Sequence, residues 1–330
     1  MPADSLQLSV VVPVYNGGGT IATVVEETLR LQSNLSLEII LVDDGSIDCS
    51  SVVCEDLVRQ HSDVIRFVQL ARNYGEHSAV LAGLAQVRGR IVAIIDDDGQ
   101  QDPDDLLQMV RLLQSTQGDV VYGVYRHKHH PVHRQFLSWL SGQTARLLLG
   151  KPAELYLSSF KVMSRFVVDR ITQYRGPFPY LDGLILQSTN RIFQVQVRHR
   201  SRLAGRSGYT FPRLMRLWMN MAVGFSILPL RLSLWVGLAA ATISFILLID
   251  ILIEKLWLQQ NLPLGIPELI AALSFFSGLE FVLLGVLGEY LGRSFLTISG
   301  APQYVIRSIT ESNSRATPDQ PPRSLNERST

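Results

Sequence analysis

The chain has 330 residues, 47% of them hydrophobic, and a formal net charge of +1, which allows one large core or two smaller ones and excludes bulk electrostatic attraction to nucleic acid. Two cysteines, Cys49 and Cys54, exclude a disulfide framework and match no metal-binding spacing. The opening stretch MPADSLQLSVVVPVYN lacks a basic region followed by a long apolar one, so it does not read as a signal peptide.

In chain order, LSVVVPV, LEIILV, VIRFVQL, RIVAIID and DVVYGVY read as strands. Helices are predicted between them over 20–31, 48–61, 77–88 and 102–114. Short β-branched runs alternating with amphipathic helices predict a parallel sheet with helices on both faces. Ligands in such a sheet bind at the carboxyl ends of the strands. Beyond residue 126 the pattern is less regular: helices are expected over 133–149 and 165–174, then a late strand in IFQVQVRH and a polar loop, SRLAGRSGYTF.

The segment 210–231 places Arg213, Arg216 and Arg231 among Leu, Trp, Met and Phe, a composition suited to a helix lying in a bilayer interface. Two apolar stretches follow, 232–253 and 266–291, each long enough for the roughly 20 residues a spanning helix needs. Arg213, Arg216, Arg231, Arg293 and Arg307 lie outside the pair and Lys255 lies between, which puts both ends in the cytoplasm. The expected organisation is a catalytic domain over 1–209, a juxtamembrane segment over 210–231, two membrane helices over 232–292, and a C-terminal segment over 293–330, disordered after about 311.

The residues that follow the strands carry the chemistry. Asp96, Asp97 and Asp98 end the fourth strand in IIDDDGQQDP. Asp96 and Asp98 can face one side together, and a Mg²⁺ or Mn²⁺ ion between them would offset their repulsion, with Gln100 adding a neutral oxygen. A solvated acidic turn with Asp102 as N-cap before Pro103 is the rival reading, and the two are compatible. Asp43 and Asp44, in LVDDGS, could accept hydrogen bonds from a ribose or a base edge. Pro13, Tyr15 and Asn16 could line a base pocket, and Arg72 could meet a phosphate or a base. In RHKHHPVHR, Arg126 and Arg134 belong to a strip suited to a diphosphate, a lipid phosphate or membrane headgroups.

With VVPVYN, LVDDGS, ARNYGEHSAVLAGL, DDDGQQDP, GRSGY, ILPLRL and LLGEYLGR in this order, the chain resembles the family 2 glycosyltransferases that use a polyprenyl phosphate. It is similar to dolichol-phosphate mannosyltransferases, and more so to undecaprenyl-phosphate glucosyl- and formamido-arabinosyl-transferases. The resemblance implies an α/β GT-A nucleotide-diphospho-sugar fold and a metal held by Asp96, Asp98 and Gln100. It implies a nucleoside held by Pro13, Tyr15, Asp43 and Asp44, with which Arg72 and Asp97 are grouped. Arg126 and Arg134 match arginines near the phosphates, and Arg202, Ser207 and Tyr209 match a loop on the acceptor side.

Three departures stand out. Gly17 replaces a frequent Glu. Gly208 replaces a lysine, with Arg206 as a candidate substitute charge. Tyr156 stands where many relatives carry Asp, with Glu154 nearby. The implied reaction moves a sugar from a nucleotide sugar, UDP-linked in preference to GDP-linked, onto a membrane polyprenyl phosphate such as undecaprenyl phosphate. The implied setting is a two-pass bacterial inner-membrane enzyme, compatible with a homo-oligomer. A GDP-mannose-using enzyme and a non-catalytic sugar-nucleotide-binding module are the alternatives. A processive synthase is disfavoured by the absence of QxxRW.

Overall fold

A computed structural model describes residues 6–125, 146, 151–152, 154–198, 200, 223, 226, 228–257 and 266–311. Its centre is one eight-stranded mixed sheet. The strands are β1 (Leu8–Val14), β2 (Leu37–Asp43), β3 (Ile65–Leu70), β4 (Ile91–Ile94), β5 (Val120–Tyr125), β6 (Lys161–Ser164), β7 (Ile192–Val197) and β8 (Ile306–Thr310). Their spatial order is β7-β5-β6-β4-β1-β2-β3-β8.

β1 to β4 are parallel, as their near-continuous apolar runs dictate for strands covered on both faces. β6 inserts antiparallel between β4 and β5, and β8 runs antiparallel along β3. The wholly parallel sheet expected from the sequence is thus corrected to a mixed one. Both intruding strands are short, at four and five residues, too brief for a period-2 pattern to stand out.

One face carries α1 (Ile21–Leu29), α2 (Ser50–Gln60) and α4 (Pro103–Thr116); the other carries α3 (Glu76–Leu84), α5 (Arg165–Ile171) and α6 (Leu181–Ser188). Asp102 caps α4 by accepting from the Asp104 N–H at 3.1 Å, with Pro103 in the first turn, as the sequence predicts. The predicted helix over 133–149, apart from residue 146, the GRSGY loop and the interfacial segment up to residue 222 lie outside the described residues.

Two long helices follow, α7 (Leu228–Trp257) and α8 (Ile266–Ile298). Leu234, Trp235, Phe275, Phe281 and Leu291 on them are exposed. Among the described residues one segment, Phe275–Ile298, is long and apolar enough to cross a membrane, and Leu228–Ala240 is a shorter apolar helix. Tyr290 on α8 donates to the Ser226 carbonyl at 2.5 Å, joining the base of the pair.

The chain then returns to the sheet. Gln303 Nε2 donates to the carbonyls of Tyr174 and Gly176 at 2.9 and 2.7 Å, the Ala71 N–H donates to Val305 O at 2.9 Å, and β8 pairs with β3. Arg293 of α8 lies 4.9 Å over the Phe178 ring, in the loop that leads into α6.

Candidate active site

The carboxyl ends of β1, β2, β3 and β4 meet along one edge of the sheet. Turn chemistry there draws the loops together. Asp43, fully buried, accepts from the Ser46 N–H at 2.9 Å and the Ser51 hydroxyl at 2.6 Å. Asp44 reaches across to the loop after β3 and accepts from the N–H groups of Tyr74 (2.7 Å) and Gly75 (2.9 Å). Burial pushes its carboxyl up to about 6, against the pull of those two amides. The loops approach closely because Gly45 sits at φ +68°, where a Cβ would stand 2.5 Å from the Arg72 backbone.

Tyr15 is half exposed at the end of β1. Its N–H donates to Asp97 Oδ2 at 3.2 Å. A Cβ on Gly17 would lie 2.2 Å from the same oxygen. Gly17 is therefore what lets the Asp97 carboxylate occupy the space beside β1 where a side chain at 17 would stand. Pro13 pairs with Val42 within the sheet, and Arg72 lies exposed with its guanidinium 4.7 Å over the Tyr74 ring.

The acid cluster begins two residues after β4. Asp96 Oδ2 accepts from the Ser159 hydroxyl at 2.6 Å and Gln101 Nε2 at 2.8 Å, while the Asp96 N–H donates to Gln101 Oε1 at 2.8 Å. Gln101 thus holds this residue from both sides. Burial, then the neighbouring Glu76 carboxylate, pushes the Asp96 carboxyl up to about 7; burial likewise raises Asp97 to about 6. Asp98 Oδ1 accepts from the Gln100 N–H at 3.1 Å, and the Gln100 carbonyl accepts from the Arg200 N–H at 3.1 Å.

Among the described residues no three His, Cys, Asp or Glu side chains form a ready-made cage. Two strand-end carboxylates that crowd one another still fit a hard divalent ion that completes its shell with substrate phosphate and water.

Five residues that sequence reasoning passed over complete this region. Ser159 and Gln101 bond to Asp96. Lys161, 2% exposed, forms an ion pair with Asp182, and Tyr122 donates to the same Asp182 oxygen at 2.9 Å. Only the strand pairing Ile94↔Lys161 brings that cluster beside β4, and β6 left no period-2 signal to predict it. Tyr156 and Glu154 lie instead beside β7: the Tyr156 N–H donates to Gln194 Oε1 at 3.0 Å and the Glu154 carbonyl accepts from Gln194 Nε2 at 2.8 Å. Arg126, Arg134, Arg202, Arg206, Ser207 and Tyr209 lie outside the described residues.

The profile of Glycosyl transferase family 2 matches residues 9–172, the stretch that carries every strand end described above. An undecaprenyl-phosphate 4-deoxy-4-formamido-L-arabinose transferase of Pectobacterium carotovorum subsp. carotovorum is 30% identical over 319 residues, covering 96% of this chain and 96% of its own. The chain belongs to glycosyltransferase family 2. Within that family it falls with the polyprenyl-phosphate glycosyltransferases. A protein of the same description from Photorhabdus laumondii subsp. laumondii is 29% identical over 315 residues, 93% of this chain and 95% of that one. Among solved structures, this family 2 enzyme resembles glucosyl-3-phosphoglycerate synthase from Mycobacterium tuberculosis in complex with Mn²⁺, UDP and glucosyl-3-phosphoglycerate. The TM-score is 0.52 at 20% identity, covering 68% of this chain and 81% of that one, which establishes a common GT-A-like fold.

Proposed function

We propose that this glycosyltransferase moves a sugar from a UDP-sugar to a membrane polyprenyl phosphate of the undecaprenyl type, with a divalent ion held by Asp96, Asp98 and Gln100. The observation that carries the reading is the Asp96–Asp98 acid end of β4, with Asp96 anchored by Gln101 and Ser159, at the same sheet edge as Tyr15, Asp43 and Asp44. Full-length likeness to undecaprenyl-phosphate sugar transferases supports the acceptor class.

In this reading Pro13, Tyr15, Asp43, Asp44, Asp97 and Arg72 bind and orient the nucleoside. Arg126 and Arg134 add fixed positive charge at the diphosphate. Arg202, Arg206, Ser207 and Tyr209 are assigned to acceptor binding. An oxygen of the lipid phosphate attacks C1 of the sugar; the new C1–O bond forms as the C1–O bond to the nucleoside diphosphate breaks, and the bonding pair leaves with the diphosphate. A bound Mg²⁺ or Mn²⁺ supplies Lewis-acid stabilisation of that leaving group. The nucleophile needs no general base, because a phosphate monoester with a second pKa of about 6 is already largely ionised at neutral pH.

A greasy acceptor requires a site against the bilayer, and the exposed apolar surfaces of α7 and α8 support a membrane location for the chain. The pairing of β8 with β3 supports an even number of crossings, since residues before and after the helix pair share one sheet. That reading keeps both ends of the chain on the cytoplasmic side of a bacterial inner membrane.

The test uses the full chain in detergent micelles or nanodiscs with undecaprenyl phosphate. Radiolabelled UDP-glucose, UDP-N-acetylglucosamine, UDP-linked pentoses and GDP-mannose are offered in turn. The expected result is label in the solvent-extractable lipid from a UDP-sugar, abolished by a chelator and restored by Mn²⁺ or Mg²⁺. Transfer from GDP-mannose alone, or label that never enters lipid, would overturn it.

A further inference from the structure

Lys161 is a charge placed where a strand normally buries an apolar side chain. It is 2% exposed, it stands on β6 opposite Ile94, and its ammonium pairs with the Asp182 carboxylate in the first turn of α6. Tyr122 donates to that carboxylate from β5, and its ring lies 5.1 Å from the Lys161 nitrogen. A buried ion pair of this kind about breaks even for stability against an apolar replacement, so stability does not account for it.

Its position does. Two residues before Lys161, Ser159 bonds directly to Asp96. The strand pairing sets Lys161 beside Ile94, two residues before Asp96, and its ammonium acts favourably on both Asp96 and Glu76, with the Asp182 charge opposing it more weakly at Glu76. At those acids the positive member of the pair outweighs the negative one.

The need for such a charge follows from the chemistry. Asp96, Asp97 and Asp98 put three carboxylates at one strand end, and Glu76 in the first turn of α3 adds a fourth negative charge that acts on Asp96. If the proposed reaction holds, a diphosphate and a lipid phosphate, both multiply anionic, must enter there. One divalent ion does not offset that charge.

We infer that Lys161, held by Asp182 and Tyr122, is a positioning residue that sets the electrostatic balance of the acid cluster so that a dianionic phosphate acceptor can approach. The inference rests on the glycosyl-transfer reading and adds a residue to it. Lys161 works through Asp96 and Glu76 and need not touch the substrate.

The test uses two variants of the full chain with opposite sign. K161M/D182N removes both charges while leaving Tyr122 an acceptor. D182N removes only the negative partner. The readouts are the affinity for Mn²⁺ alone, followed by the electron paramagnetic resonance of the free ion, and the KM for undecaprenyl phosphate. K161M/D182N is expected to bind Mn²⁺ about fourfold more tightly and to raise the acceptor KM by a similar factor, because it removes two adjacent opposite charges whose net action on the acids is smaller than that of one unit charge. D182N is expected to weaken Mn²⁺ binding without raising the acceptor KM. K161R should stay within about threefold of the parent in both.

A variant that is merely misfolded would lose ion binding and transfer together, so a loss of both in K161M/D182N overturns the inference. So does a shift of Mn²⁺ affinity in the same direction for both variants, or one under twofold in each. A parent chain that neither binds Mn²⁺ nor labels lipid overturns the transfer reading itself, whereas an active parent with unresponsive variants overturns only the role of Lys161.

Discussion

Ser159 Oγ lies 2.6 Å from Asp96 Oδ2, a bond between residues 63 apart that ties the antiparallel strand β6 to the acid end of β4. Gln101 closes the same oxygen from the other side at 2.8 Å. Asp96 is thus oriented by two partners. We predict that S159A and Q101L each lower kcat for transfer into lipid by about tenfold, the usual scale for partners that orient a metal-binding carboxylate. Thermal unfolding should move by only a few degrees. Activity within twofold of the parent in both would show that Asp96 needs no such support.

Asp98 lies two residues beyond Asp96 after the same strand, and its removal should be far more damaging. D98A is expected to lose more than about 100-fold in turnover, as a principal electrostatic contributor would. The check is radiolabel entering the lipid phase at saturating Mn²⁺; near-normal turnover would rule Asp98 out of the ion site.

Gly17 and Asp97 compete for one volume. G17A puts a methyl group within 2.2 Å of the present Asp97 Oδ2 position, so the carboxylate must swing away from the Tyr15 N–H. We predict that UDP binding, followed by calorimetry, weakens about tenfold, consistent with a small-to-large change costing about 1–3 kcal/mol in a packed site. Unchanged UDP affinity would remove Asp97 from the nucleoside site.

His77, at the start of α3, packs edge-on against Tyr180 with ring centroids 5.2 Å apart. Burial depresses its imidazole to about 4. A group whose folded value lies below its unfolded one contributes stability that is complete above the unfolded value, about 6.5, and is lost as pH falls towards 4. The loss is expected to reach at most about 3 kcal/mol, less where water reaches the ring. Denaturant titrations of the parent and H77F between pH 7 and 4.5 check it; equal slopes with pH would refute the assignment.

The C-terminal strand makes a separate prediction. Deleting residues 303–330 removes β8 and both Gln303 bonds, leaving the β3 edge bare. Such a chain should unfold several degrees lower and aggregate more readily, as open strand edges do. Parent-like melting would mean that β8 adds nothing to the sheet. A chain cut near residue 206, the natural choice for a soluble catalytic domain, inherits the same defect.

The five leading strands, the helices between them and the two long apolar helices were legible because each repeats a strong local pattern over many residues. β6, β8 and α6 were not. KVMS and IRSIT are short, and both mix charge with apolar residues at an edge or beside a buried ion pair. In the site, Asp96, Asp97 and Asp98 announce themselves by their crowding after an apolar run. Gln101 and Gln100 are indistinguishable in sequence, and only the turn geometry turns the former back onto Asp96. Ser159, Lys161 and Asp182 act through long-range pairing, which no local window contains.

That same pairing has a consequence for biogenesis. Arg307 on β8 bonds to a backbone carbonyl 236 residues earlier in the chain. The ribosome therefore releases β3 long before its neighbour exists, and the intervening helices must enter their own environment first. The sheet stays one strand short until β8 emerges, so the β3 edge is left open while more than 200 residues are added.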